Sequence, residues 1–115
     1  MTTNYWLGIR ELLDQLESVP EFKATDRISR NLLDWIYVQN QNERPIFVQT
    51  IVMKSDIASP ATIYKSLAVL ERAGLISTKI DTEDSRRRII KPTERANKLM
   101  IKLSRDVMQW AKTNA

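Results

Sequence analysis

Cysteine and histidine are both absent from this chain. Without thiols there is no disulfide framework and no thiolate metal site, which leaves a reducing cytoplasm as the default compartment. Without imidazole, Ser-His-Asp and Cys-His catalysis, zinc-dependent deaminase or protease chemistry and the usual near-neutral general base all fall away. An enzyme would have to run on carboxylates and lysines alone, and no nucleophile and base stand paired in the sequence. The expectation is a binding protein with no cofactor, no metal and no catalytic residue. Long apolar runs are missing too. None approaches the roughly 20 residues of a membrane span, and Met1-Thr2-Thr3-Asn4-Tyr5-Trp6 shows no basic leader of an export signal.

What is present suits one domain: 43% of the 115 residues are hydrophobic, enough for a real core. Charge is unevenly placed. Residues 1–44 carry five Lys/Arg against seven Asp/Glu, whereas residues 45–115 carry thirteen against seven, net +6. A polyanion-binding surface would put its excess in the second part, although ordinary solvation accounts for a mildly basic chain equally well.

Trp6, Ile9, Leu13 and Leu16 recur at steps of three, four and three, which predicts an amphipathic helix over 5–18, stopping before Pro20. Ile28, Leu32, Trp35 and Ile36 predict a second from Asp26 to about Gln39, capped by Thr25 or Asp26 and followed by a polar loop to Pro45. From Ile46 to Met53 the pattern allows a strand or a short helix, and periodicity does not separate them. Ser59 and Pro60 then fit the N-cap and first turn of a helix carried by Ile63, Leu67 and Leu70 and closed at Gly74. Residues 75–80 and 86–91 read as a β-hairpin around 81–85, ended by Pro92. Thr93 caps a last helix to about Lys112. The fold class expected is mainly α with a small β-hairpin wing, a winged helix-turn-helix in a single domain over 1–115. Within it, 1–44 hold the N-terminal helices, 46–92 the helix-turn-helix and wing, and 93–113 the C-terminal helix.

With Ile63 at the centre of the buried face, steps of 100° turn Ala61, Lys65, Ala68 and Arg72 outward and set Thr62 and Tyr64 on the flanks. Lys65 can donate to guanine or phosphate, Thr62 can bond either, Tyr64 offers a hydroxyl and a ring, and Ala61 permits close approach. Ser59 joins them at the helix start. Any surface helix displays comparable residues, so more than the helix is needed.

Leu70-Glu71-Arg72-Ala73-Gly74-Leu75-Ile76, followed in register by Asp84-Ser85-Arg86 and Pro92-Thr93-Glu94, resembles the MarR family of bacterial winged-helix regulators over about residues 46–99. The departures are Pro92 where the family has Leu, Ala96 where it has Gly, and a chain shorter than typical members. The resemblance implies that Asp84 braces the wing while Arg86 probes a minor groove. Arg87 and Arg88 add charge to the same double-stranded DNA contact, though strand alternation points them to opposite faces.

In the last helix Ala96, Met100, Leu103, Val107 and Trp110 keep a heptad-like spacing. Such a seam either packs on the N-terminal helix of its own chain or joins two subunits. The resemblance favours a homodimer, with Trp6, Ile9, Leu13, Met100, Leu103, Val107 and Trp110 at its interface. Core remains the default for Trp6, Trp35 and Trp110. The function implied is a sequence-specific, double-stranded-DNA-binding transcription regulator of repressor type. A plasmid or phage replication or partition protein, or a winged helix used only for protein interaction, are the alternatives, and a small-molecule effector is left open.

Overall fold

The computed structural model describes residues 4–41 and 44–114. Helix α1 (Tyr5–Glu17) opens on Asn4, whose side-chain oxygen accepts from the amide of Leu7 at 3.1 Å. After a single 3₁₀ turn at Pro20–Phe22, α2 (Arg27–Asn40) opens on Asp26, whose carboxylate accepts from the amide of Ser29 at 2.7 Å. Both caps answer the same need, since first-turn amides have no partner inside the helix.

The ambiguous stretch after the loop is both of its alternatives. Ile46–Phe47 form a two-residue strand, β1, and Val48–Lys54 form helix α3 directly after it. Helix α4 (Pro60–Arg72) begins at Ser59 and ends on two bonds, Leu75 N–H to the Leu70 carbonyl and Gly74 N–H to the Glu71 carbonyl, both 3.0 Å. Gly74 sits at φ +73°. That closure needs a left-handed residue, which costs other L-residues about 1–2 kcal/mol.

Strands β2 (Ile76–Ile80) and β3 (Arg88–Pro92) pair antiparallel from Ile76 opposite Pro92 to Ile80 opposite Arg88, and β1 adds to the far side of β3, giving the order β1-β3-β2. Two sequence expectations shift here. The second strand starts at Arg88 rather than Arg86, because the amide of Arg86 donates to the Asp84 carboxylate and that of Arg87 to the Asp84 carbonyl, both at 3.0 Å. Pro92 is the last residue of the strand, one past the expected end at Lys91. The amide of Thr93 donates toward β2, to the Leu75 carbonyl, so the neighbouring Pro92 nitrogen faces the side where β1 has already ended and no ladder bond is lost.

Helix α5 (Glu94–Asn114) is tied to the end of α4 by one side chain. The Thr93 hydroxyl accepts from the amide of Ala96 at 3.1 Å and donates to the Gly74 carbonyl at 2.6 Å. Tyr37 of α2 adds a second tie by donating to Asn97. Burial pushes the Tyr37 phenol up to about 12, so it remains a donor throughout the neutral range.

The core gathers Leu32, Leu33 and Ile36 of α2, Ile51 of α3, Ile63, Leu67 and Leu70 of α4, the sheet residues Ile46, Ile76 and Ile90, and Ala96 and Leu99 of α5. Full burial of each of these Leu and Ile side chains is worth roughly 1.5–3 kcal/mol. Ile28, expected on the buried side of α2, is exposed, and Ser29 and Leu33 take its place. In α1 the inward face carries Gly8, Leu12 and Leu16, while Trp6, expected in a core, is 68% exposed and Ile9 and Leu13 are also open. Met100 and Leu103, expected at a subunit interface, are half-buried against the core of their own chain. Further along α5, Val107 and Met108 are exposed and Trp110 is half-buried facing α1. The long α5 gives the molecule extents of 55 × 26 × 24 Å.

Candidate nucleic-acid interface

Helices α3 and α4 are joined by the turn Ser55–Ser59, in which Asp56 takes a left-handed backbone at φ +54°. Asp tolerates that region better than most residues because its short side chain bonds locally. The burial of Ile63, Ser66, Leu67 and Leu70 turns one face of α4 inward, and Ala61, Tyr64, Lys65, Ala68 and Arg72 lie exposed on the other. Ser59 holds the first turn in two ways. Its hydroxyl accepts from the Thr62 amide at 3.4 Å and donates to the Thr62 hydroxyl at 3.1 Å, so the half-buried Thr62 side chain is oriented before any ligand arrives.

Lys65 also acts on α2. The Ser29 amide, chiefly, holds the Asp26 carboxyl below its ordinary range, with smaller contributions from the charges of Lys65 and Arg30. A carboxyl depressed by folding contributes stability that is present above its unfolded value, about 3.9, and is lost as pH falls through the lower folded value. Asn caps a helix as well as Asp does but carries no charge. The Asp26→Asn variant should therefore be less stable than wild type at pH 7, and the gap in urea midpoint should close as the pH is taken to about 3.

The hairpin carries the second basic element. The Arg86 side chain is 88% exposed, and its Nε and Nη2 donate to the two carboxylate oxygens of Asp84 at 3.1 and 3.2 Å. These bonds, with the Arg86 amide, hold the Asp84 carboxyl below its ordinary range, so it stays ionised at neutral pH. A bidentate carboxylate fixes the plane of a guanidinium while leaving its outer edge free. Arg88 is exposed at the start of β3.

Arg87, expected in the DNA contact but on the strand face opposite Arg88, is turned inward. Its Nη2 donates to Asp81 at 2.7 Å, its Nε lies 3.8 Å from Asp84, and its guanidinium stacks 4.4 Å from the centre of the Phe47 ring. Sequence reasoning gave no role to Asp81 or Phe47. Asp81 is 8% exposed and also accepts from the Glu83 amide at 3.2 Å. The cue available for Asp81 was an acidic residue at the hairpin mouth facing a run of arginines, whereas Phe47 has no local signal.

Among the described residues no cluster of acidic side chains could hold a metal ion, and no helix is long and apolar enough to cross a membrane. A helix-turn-helix set between β1 and the basic β2–β3 hairpin of one three-stranded sheet defines the winged helix-turn-helix class. The sequence matches no protein-family model and no curated protein. The fold does match solved structures. S. aureus MepR in its complex with DNA aligns with a TM-score of 0.75 at 22% identity over 95% of this chain and 83% of that one. MarR aligns at 0.58 and 19% identity, covering 95% and 71%, and the PcaV transcriptional regulator from Streptomyces coelicolor at 0.58 and 17%, covering 97% and 81%. The chain has a MarR-like winged-helix fold.

Proposed function

We propose that this protein is a sequence-specific double-stranded DNA-binding transcription regulator that acts as a homodimer. The observation that carries this reading is the joint display of two basic elements on one folded unit. One is the outer face of α4, with Ala61, Thr62, Tyr64 and Lys65 near its start, and the other is the exposed Arg86 held by Asp84 at the hairpin tip. A helix of this kind fits the major groove, and an arginine beside it suits the negative potential of an adjacent narrow minor groove. Arg88 adds charge on the same wing. The structural likeness to MepR, a protein crystallised with DNA, supports the same assignment.

The homodimer rests on the apolar surface left open by α1 and α5. Tyr5, Trp6, Leu7, Ile9 and Leu13 on one helix and Ile101, Val107 and Met108 on the other are exposed in a single chain. That much apolar surface on two helices marks an interaction site. A two-fold pair of winged helices places its recognition helices over two half-sites, which is how small modules gain specificity.

Selection from a pool of random duplexes tests the proposal. The enriched sites should be inverted repeats, and affinity for them should fall steeply and linearly on a log–log plot against salt as bound cations are released from phosphate. Tandem iterated sites would instead indicate a replication or partition protein. No enrichment over the starting pool would leave a protein-interaction module and defeat the DNA reading.

A further inference from the structure

The inward arginine of the wing makes contacts that reading DNA does not require. Its three partners belong to three different places: Asp81 at the end of β2, Asp84 in the hairpin turn, and Phe47 on β1. Phe47 is also the N-cap residue of α3, the first helix of the helix-turn-helix. One side chain therefore touches the base of the wing, its tip and the start of the helix-turn-helix. We propose that Arg87 is a positioning residue that locks the wing to the helix-turn-helix and, through Asp84, sets the pose of Arg86, and that it is not itself a DNA ligand.

The chemistry of the site favours a lock over a contact. A guanidinium can use its edge and its face at once: here Nη2 donates to Asp81 while the face lies on the Phe47 ring, and Nε, which makes no hydrogen bond, keeps only a 3.8 Å ion-pair contact with Asp84. Drawing Arg87 out to a phosphate would leave Asp81, almost wholly buried, with its charge uncompensated. The same removal would free one side of Asp84, whose other side holds Arg86 through both side-chain nitrogens and the amide. The angle between wing and α4 decides whether a minor-groove contact and a major-groove contact can be made together. Phe47 and Arg87 fix that angle without touching DNA.

This inference rests on the DNA-binding reading, so its test needs one arm that involves no DNA. Removing Arg87 risks unfolding the wing by stranding Asp81, so Phe47→Leu is the better probe, because it keeps every charge and an apolar side chain while deleting the ring. In the free protein, F47L should speed hydrogen exchange at the amides of Glu83, Arg86 and Arg87, which bond to Asp81 and Asp84, and leave the amides of Ile63 and Leu70 slow. With the selected duplex, F47L should bind about tenfold more weakly and lose hydroxyl-radical protection in the groove reached by the wing, while protection under α4 persists. Coupling supplies the decisive measurement: F47L combined with Arg86→Ala should bind no more weakly than Arg86→Ala alone. Multiplying effects, or an F47L protein that binds as wild type does, would overturn the positioning role. Unchanged exchange would overturn the lock whatever the wild type binds, whereas a wild type that selects no duplex counts against the DNA reading and shows itself without any variant.

Discussion

Val107→Glu should yield a protein that sediments as a folded monomer, melts at a temperature that no longer depends on protein concentration, and binds the full inverted repeat about a hundredfold more weakly. Val107 is 43% exposed in the single chain, so a carboxylate there stays hydrated and costs the fold little. In a two-fold interface the same residue would meet apolar partners, and an unpaired charge buried among them is costly enough to abolish pairing. Loss of the second reading head removes the effective-concentration gain of a linked pair, typically a factor of about 10²–10⁴. Leu103→Glu provides the contrast. Leu103 packs half-buried on the core of its own chain, so its replacement should lower the melting temperature itself. Sedimentation velocity at micromolar concentration separates the two variants, and a monomeric wild type there, or a V107E variant that remains dimeric, would end the proposed interface.

The contrast also shows what a hydrophobic seam in sequence conveys. Ala96, Met100, Leu103, Val107 and Trp110 keep one spacing, yet the first three pack on the core while Val107 lies open. Helical period reports that a stripe is apolar and not what covers it, which is why Trp6 was equally readable as core and as interface. Elements defined by local chemistry were legible to the residue. Ser59, Pro60, Gly74 and Thr93 mark the ends of α4 and the start of α5, because caps and left-handed closures are decided by the few residues involved. Features set by distant partners were not. The two-residue strand β1 exists because Ile46 and Phe47 pair with Ile90 and Ile89, and Arg87 turns inward because Phe47 and Asp81 receive it. Neither pairing leaves a period in the sequence.

Arg86→Ala should cost about 1–3 kcal/mol of binding to the selected duplex, whereas a paired Thr62→Ala and Lys65→Ala change should chiefly erase discrimination between that duplex and random DNA. The two expectations differ because the side chains do different work. Arg86 is nearly fully exposed but already oriented by Asp84, so little freedom is lost when it enters a groove and its removal subtracts an intact contact. Thr62 is likewise fixed in advance by Ser59, and a base that cannot answer a fixed hydroxyl leaves that polar group unmatched. Lys65, a flexible point charge, supplies the bond to guanine or phosphate that brings the first turn of α4 close enough for the hydroxyl to matter. Salt titrations distinguish the roles further. If Lys65 contacts phosphate alone, its replacement should weaken cognate and random duplexes in parallel and reduce the salt slope by about one. If it reads a base, the cognate duplex should suffer far more than the random one. An Arg86→Ala protein that matches wild type across the titration would remove the wing from the interface altogether and leave α4 as the only reading element.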